Sequence, residues 1–457
     1  MANETIKYKS FSIIGAARSG VAAAKLLKSK GYKVLLSDIN PEEKINKDFL
    51  KEIKQNNIPF EFGNHSEKVF ENDLIVVSPG VPQSSPVLKK SFELGKEVVS
   101  EVELASWFCK GKIISITGTN GKTTTTTLIG ELLKDAGLKV FVCGNIGTAF
   151  ADMVENIGND GYAVVETSSF QLDNIKTFKP FISILMNITP DHLDRYNHSN
   201  KEYIESKFRV IENQTEDDYF IFDFDDEVIM KNLDKRMKVT PVPFSIKKDP
   251  GDKFNTAGFL DGNNIMFRRG NKTETIFDSR KLVIKGSHNI YNSLASILTA
   301  KILGASNESI AKTLQEFKGV EHRLEFVREL NGIKYYNDSK ATNVNSVWYA
   351  LQGFDTPIIL ILGGRDKGND YSEIENEVIK FVKHIIAIGE SKEKVINYFK
   401  NKLPVDSAGD MEDAIKKASS FASGNDVVLL SPACASFDMF DNYEHRGREF
   451  KRIVNGL

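Results

Sequence analysis

The sequence predicts an α/β protein of about three domains, built on mostly parallel sheets. Three observations carry that prediction. The chain has 457 residues, about three times the length of an ordinary domain. Short β-branched runs alternate with amphipathic helical patterns along most of it, and strand, helix and strand in that order make βαβ units with right-handed crossovers. The composition, 41% hydrophobic and 27% charged, is that of a globular protein in which each domain buries a core.

The elements fall into three series. The first runs FSIIG (11–15), a helix from Ser19 to Lys30, KVLLSD (33–38) and DLIVVSPG (73–80). The second begins at KIISITG (112–118) and continues with KVFVCG, YAVVETSS and FISILMNIT. Between it and the third, residues 253–284 carry the turn signals DGNN and RGN among short alternating runs, the pattern of antiparallel hairpins. The third series has PIILILGG (357–364), HIIAIG (384–389) and DVVLLSP (426–432). Domain boundaries are placed near residues 101 and 319.

Charge narrows the partners. Lys+Arg is 60 and Asp+Glu is 62, a formal net charge of −2, which gives no electrostatic reason to expect nucleic acid or an anionic membrane. Cys109, Cys143 and Cys434 form no CxxC pattern, and so sparse a set fits a reducing compartment. The N-terminus runs straight into a strand pattern, and no apolar run is long enough to span a bilayer. A cytoplasmic monomer acting on small molecules, with no nucleic-acid or membrane partner, is expected.

The most specific motif is ITGTNGKTTTT (116–126). A strand ends at Thr117, Gly118 and Gly121 frame a tight loop with Thr119 and Asn120 between them, and a helix begins near Lys122. Such a loop turns backbone N–H groups onto phosphate oxygens, aided by the helix N-terminus. Lys122 suits the β- and γ-phosphates of ATP, and the Thr123 hydroxyl suits Mg²⁺, with Thr124 following. Two residues, not the common four, separate the glycines. A glycine turn that merely happens to precede a lysine is the poorer reading in this strand–loop–helix context.

GAARSG (15–20) also follows a strand and opens a helix, with Arg18 and Ser19 at its start and Asp38 ending the next strand. Ala17 stands where a dinucleotide fingerprint has the glycine that lets a pyrophosphate approach. That Cβ argues against ordinary NAD binding, though not against a nucleotide held differently. Asp38 alone is weak, since strand-end aspartates often only cap helices. VVSPGVP (76–82), with Ser78 and Gly80, could wall the same crevice.

In a parallel sheet the C-terminal strand ends line the ligand crevice. Glu166 ends YAVVE there, where a carboxylate can hold Mg²⁺, and NITPDHLDRY places His192 on the same rim. Lys207, in KEYIESKFRVI, taken alone is a solvated helix lysine. In the third series His322-Arg323 could be a surface turn, but Arg suits a bidentate phosphate contact. Asp338 in NDSKATN (337–343) could cap the following helix, Lys340 is left without a settled role, and Lys367 lies on the Gly-rich GGRDKGND (363–370).

Together, GTNGKTT, ETSSFQL, NITPDHLDRY, SKFRV, GSHNIYN, GVEHRLE, NDSKATN and SPACASFDMFDNYEHRG stand in the order found in the Mur ligases, and the chain resembles that family over nearly its whole length. The last four segments resemble closely the member that adds D-glutamate to UDP-N-acetylmuramoyl-L-alanine. The resemblance implies a Rossmann-like N-terminal domain (1–101) for the UDP substrate and a central P-loop ATPase domain (102–319) for ATP and Mg²⁺. It implies a Rossmann-like C-terminal domain (320–457) that closes over ATP and carries the amino acid.

By match to the family's motifs, Gly118 to Thr124 hold ATP, with Asn289 at adenine and Arg323 and Asp338 as further ATP contacts. Thr123, Glu166, His192 and a carbamylated Lys207 serve Mg²⁺. Arg18, Ser19, Asp38, Ser78, Gly80, Asn145 and His192 face the UDP substrate. Thr342, Lys367, Ser436 and Tyr443 surround D-glutamate. The chain departs from the family pattern at Ala17, Ile39 and Asn40, and at Tyr443, where Phe is expected.

Within this class the nearest rivals are muramyl ligases adding L-alanine or a diamino acid, and folylpolyglutamate synthetase. The DNPR-like motif of the diamino-acid enzyme is not found, and the phosphate loop reads GKTT rather than the folate enzyme's GKGS. From other classes, a dehydrogenase led by GAARSG would show saturable NADH binding without ATP turnover, and a non-catalytic nucleotide-binding scaffold is disfavoured because every expected cationic and acidic site residue is present.

Overall fold

A computed structural model describes residues 6–191, 195–197, 199–233, 238–366 and 368–457. Three sheets organise the chain, each at the centre of an α/β domain. The first contains β1 (Ser10–Ile14), β2 (Lys33–Asp38), β3 (Phe60–Phe62), β4 (Leu74–Val77) and β5 (Glu97–Ser100) in the order β3-β2-β1-β4-β5, all parallel. Strand order reverses between β1 and β4, which opens a crevice at their C-terminal ends. The second contains β6 (Lys112–Thr117), β7 (Lys139–Gly144), β8 (Gly161–Glu166), β9 (Ile182–Leu185), β10 (Tyr219–Asp223), β11 (Thr240–Ser245), β12 (Thr256–Asp261), β13 (Asn264–Arg269) and β14 (Lys272–Asp278). Its order is β14-β13-β12-β11-β10-β9-β6-β8-β7. It is parallel except for the two hairpins joining β12, β13 and β14, where the DGNN and RGN turns stand.

The third contains β15 (Glu325–Leu330), β16 (Ile333–Asn337), β17 (Ile358–Gly363), β18 (Val382–Ile388), β19 (Val405–Ser407) and β20 (Val427–Leu430), ordered β15-β16-β20-β17-β18-β19. Only the β15–β16 pair is antiparallel. The central strands are apolar throughout because helices cover both faces; every residue of Ile358–Gly363 and Val427–Leu430 is buried.

Two compact units result. One is residues 1–281 with 291–314; the other is 282–290 with 315–457. Within the first, two sheets are joined through the helix Glu101–Phe108. The Glu103 carboxylate accepts backbone N–H bonds from Lys176, Thr177 and Phe178 at 2.8–2.9 Å, and bonds from Thr177 Oγ1 and Trp107 Nε1. A buried carboxylate so fully satisfied fixes the seam between the two domains. No described helix is long and apolar enough to cross a membrane, and the three cysteines are buried and free.

Candidate active site

The phosphate loop has the predicted strand–loop–helix form, between β6 and the helix Lys122–Asp135. Both glycines are obligatory. Gly118 has φ +141° and a Cβ there would meet Met186 Cβ at 2.9 Å; Gly121 has φ +84° and its Cβ would meet Asn292 Oδ1 at 2.5 Å. The segment after β9 braces the loop. Thr119 N donates to Asn187 O and Asn120 N to Asn187 Oδ1, while Thr119 Oγ1 donates to Thr189 O at 2.9 Å. Lys122 Nζ folds back onto Gly118 O and Thr119 O, both at 2.8 Å. The ammonium is thus held on the loop's own carbonyls.

Around this loop the strand ends converge. β8 lies beside β6 with Glu166 opposite Ile116, so Glu166 stands on the loop's rim. It is 2% exposed; Oε1 accepts from Asn145 Nδ2 at 3.4 Å and Oε2 has no hydrogen-bond partner. The buried Thr117, Thr124 and Thr189 hydroxyls are also unpartnered. Such orphaned oxygens are costly unless a ligand satisfies them, and a carboxylate with hydroxyls is the donor set a hard cation prefers. These residues therefore fit Mg²⁺. Thr123 is buried in the first turn of the helix.

Lys207 differs from the solvated lysine its sequence suggests. It is 2% exposed, with Nζ 4.5 Å from the centre of the Tyr203 ring, and the Tyr203 hydroxyl bonds Thr119 Oγ1 at 3.1 Å. Burial first, and the Lys122 charge second, push its pKa well below the usual lysine range, against the pull of Asp191 and Asp173. The result is a buried amine near the phosphate loop whose charged form is disfavoured. His192 lies outside the described residues.

Of the residues assigned to the UDP substrate, Arg18, Gly80 and Asn145 lie where the first two domains meet. Arg18 Nη1 donates to Gly147 O at 2.6 Å and Nη2 to Asn145 O at 3.4 Å. Arg195 donates to Pro79 O and Gly80 O and stacks on Phe170. Ser78 Oγ donates to Gly15 O. Asp38 is not a helix cap: it accepts from Ala16 N at 2.7 Å and from Asn40 N and Nδ2, clasping the GAARSG turn to the next loop. Gly20 is needed because a Cβ there would lie 1.9 Å from Gly15 O, whereas Ala17 is exposed. Ser19 is half-buried in the first turn of the helix Arg18–Ser29.

A second constellation lies in the other unit. Asp338 is buried, with Leu324 N on Oδ1 at 3.1 Å and Ser431 Oγ on Oδ2 at 2.7 Å. Burial raises its pKa to about 7 against those bonds and the nearby Arg323. It does not cap the following helix; Asn343 does, through Ser346 N. Arg323 Nε is buried without a partner, and burial together with the Arg323 charge lowers the His288 pKa to about 4. Asn289 Nδ2 donates to Lys285 O.

Of the residues assigned to the amino acid, Thr342 and Ser436 follow the C-terminal ends of β16 and β20, and Tyr443 begins the helix Tyr443–Asn455. A residue the sequence reading missed organises them. Arg446 is buried and donates to Ser339 Oγ and O, Cys434 O and Ala435 O. Ser339 Oγ in turn donates to Tyr443 O. Arg446 thus ties the Thr342 loop to the buried Ser436 and to Tyr443. Arg365 pairs backbone-to-backbone with Ala435, which lays the 363–370 loop alongside; Lys367 itself lies outside the described residues. Lys340 Nζ stands 5.4 Å from the Tyr443 ring centre.

The three domains match three family models in order: the Mur ligase MurD-like N-terminal domain over residues 9–100, the Mur ligase middle domain over 116–300, and the Mur ligase glutamate ligase domain over 322–434. The chain belongs to the Mur ligase family. The UDP-N-acetylmuramoylalanine–D-glutamate ligase of Chloroherpeton thalassium is 43% identical, with 100% of each chain covered. Those of Salinibacter ruber, 41% identical over 100% of each chain, and Bacteroides thetaiotaomicron, 44% identical over 98% of this chain and 100% of that one, are similar. Among solved structures, the MurC ligase of Thermotoga maritima has a TM-score of 0.61 at 19% identity, covering 98% of this chain and 99% of that one. The MurF ligase of the same organism in complex with ADP has 0.59 at 16%, covering 93% and 95%. These two likenesses show that this Mur ligase shares their fold.

Proposed function

We propose that this Mur ligase joins D-glutamate to UDP-N-acetylmuramoyl-L-alanine at the expense of ATP, a step of peptidoglycan precursor synthesis. The observation that carries this reading is full-length identity of 41–44% to ligases of that name. The site supplies the chemistry. A carboxylate is a poor electrophile because its leaving group is oxide. Transfer of the γ-phosphoryl group of ATP to the L-alanyl carboxylate forms a C–O–P acyl phosphate and releases ADP. The D-glutamate amine then attacks the carbonyl carbon, the C–N bond forms, phosphate departs with the C–O electron pair, and the amine loses a proton.

Both steps gather negative charge, so fixed cations and N–H groups provide most of the stabilisation. Lys122 and the N–H groups of Gly118–Thr124 hold the phosphates. Thr123, Glu166, His192 and a Lys207 carbamate are the ligands assigned to Mg²⁺, which when bound neutralises phosphate charge. The burial of Lys207 supports that assignment, because it disfavours the ammonium and CO₂ adds only to an unprotonated amine. Arg18, Ser19, Asp38, Ser78, Gly80, Asn145 and His192 position the UDP substrate, with Asp38 acting by holding the loops. In the second unit the assignments are ATP for Asn289, Arg323 and Asp338, and D-glutamate for Thr342, Lys367, Ser436 and Tyr443. The unpartnered Arg323 Nε supports an anionic ligand there. The boundaries near residues 101 and 319 are retained as domain limits, and the protein acts as a cytoplasmic monomer. A phosphate-release assay with the UDP substrate, ATP and D-glutamate tests the reaction, and size-exclusion chromatography with light scattering tests the monomer.

A further inference from the structure

Two arginines cross the seam between the first two domains in opposite directions. Arg18, at the start of the first domain's helix Arg18–Ser29, donates to the Gly147 and Asn145 carbonyls of the central domain. Arg195, in the segment after β9, donates to the Pro79 and Gly80 carbonyls of the first domain at 2.7 and 2.9 Å. Each guanidinium grips a loop of the opposite domain that carries residues assigned to the UDP substrate.

The loop under Arg195 is a turn that its own domain secures from one side. Ser78 N donates to Ile14 O and Ser78 Oγ to Gly15 O, and Val81 N closes a β-turn onto Ser78 O at 3.0 Å. The carbonyls of the two central residues of a β-turn have no partner within it. Here those carbonyls, of Pro79 and Gly80, accept from Arg195, and among the described residues they accept from nothing else. A guanidinium is a rigid planar fork, so two bonds from it fix the turn's orientation as well as its distance. The fork is itself held: it lies 4.5 Å from the centre of the Phe170 ring. Phe170 belongs to the short helix Ser169–Leu172 that follows β8, the strand ending in Glu166 on the rim of the phosphate loop. The turn of the first domain is thereby tied to the rim of the second.

We propose that Arg195 is a positioning residue for the UDP substrate: it does not touch the substrate, but holds the Ser78–Val81 turn as a preformed wall of the crevice. The proposal rests on the reading that Ser78, Gly80 and Asn145 face that substrate. Without the guanidinium the turn must be ordered when the ligand binds, and that cost falls on the ligand the turn contacts. ATP and D-glutamate are assigned to other loops and do not bear it.

Steady-state kinetics on the full chain, with each of the three substrates varied in turn, provide the test. Arg195→Ala should raise KM for UDP-N-acetylmuramoyl-L-alanine roughly tenfold, with kcat and the KM values for ATP and D-glutamate close to those of the unaltered enzyme. Arg195→Lys keeps the charge but replaces the fork with a point donor, so its KM should fall between the two; it carries the test if the alanine variant does not fold. An unaltered KM for the UDP substrate in the folded variants would overturn the proposal. So would an equal rise for all three substrates, the mark of a residue that only stabilises the seam. Asn145→Ala tests the underlying reading separately: if it leaves the KM for the UDP substrate unaltered, the assignment of the crevice fails, whatever the Arg195 variants show.

Discussion

Burial lowers the Lys207 pKa well below the usual lysine range, and the Lys122 charge acts the same way; carbamylation requires an unprotonated amine. Lys207→Ala should therefore lose nearly all ligation, and acetate or formate should restore part of it by supplying a carboxylate in the vacated space. A carbamate signal from Lys207 in ¹³CO₂-equilibrated enzyme is the direct check; an active enzyme with an unmodified lysine would refute it. Lys122→Ala should lower turnover roughly a hundredfold, the equivalent of ~3 kcal/mol of lost charge stabilisation, with the fold intact. Steady-state kinetics on the folded variant decide this, and near-normal turnover would remove Lys122 from the mechanism. The phosphate loop was legible because its glycines and lysine are contiguous. The burial of Lys207 was not, because Tyr203 and the Thr119 loop that cover it come together only in the fold. Arg446 was hidden for the same reason: alone it reads as a helix-surface cation, and its partner Ser339 lies 107 residues away.

At the scale of elements, the helix Glu101–Phe108 places two buried carboxylates at the seam of the first unit. Glu103 is satisfied throughout, so Glu103→Ala would strand three backbone N–H groups and should cost at least ~2 kcal/mol in urea unfolding. A loss within ~0.5 kcal/mol would mean the seam does not depend on it. Glu101 differs. Its Oε1 accepts from Ala151 N at 2.7 Å, Oε2 has no partner, and burial raises its pKa from 4.5 to about 7. The folded state then binds more protons than the unfolded state between those values, so stability falls as pH rises through that window, by on the order of 3 kcal/mol. Glu101→Gln should flatten the stability profile between pH 5 and 8 (as ~5 and ~8 bracket that window); an unchanged slope would show that Glu101 does not titrate there. Strand order was legible only in part. Alternation of strands and helices announces parallel sheets, and DGNN announces a hairpin, but the short β3, β5 and β19 carry too few residues for a pattern.

At the scale of the molecule, the proposed function assigns three anions, a UDP-sugar, a triphosphate and a dicarboxylic amino acid, to the C-terminal strand ends of three sheets. The third choice separates the proposed reaction from that of ligases of the same fold, and the proposal assigns it to Thr342, Ser436 and Lys367, two hydroxyls and a cation suited to carboxylates, without an acidic group assigned to a distal amine. The most direct measurement is phosphate release with ATP and UDP-N-acetylmuramoyl-L-alanine, offered D-glutamate, L-alanine, L-lysine or diaminopimelate at equal concentration. The account predicts release that depends on D-glutamate and exceeds that with each of the others. Faster release with a diamino acid or L-alanine, or none with D-glutamate, would contradict it.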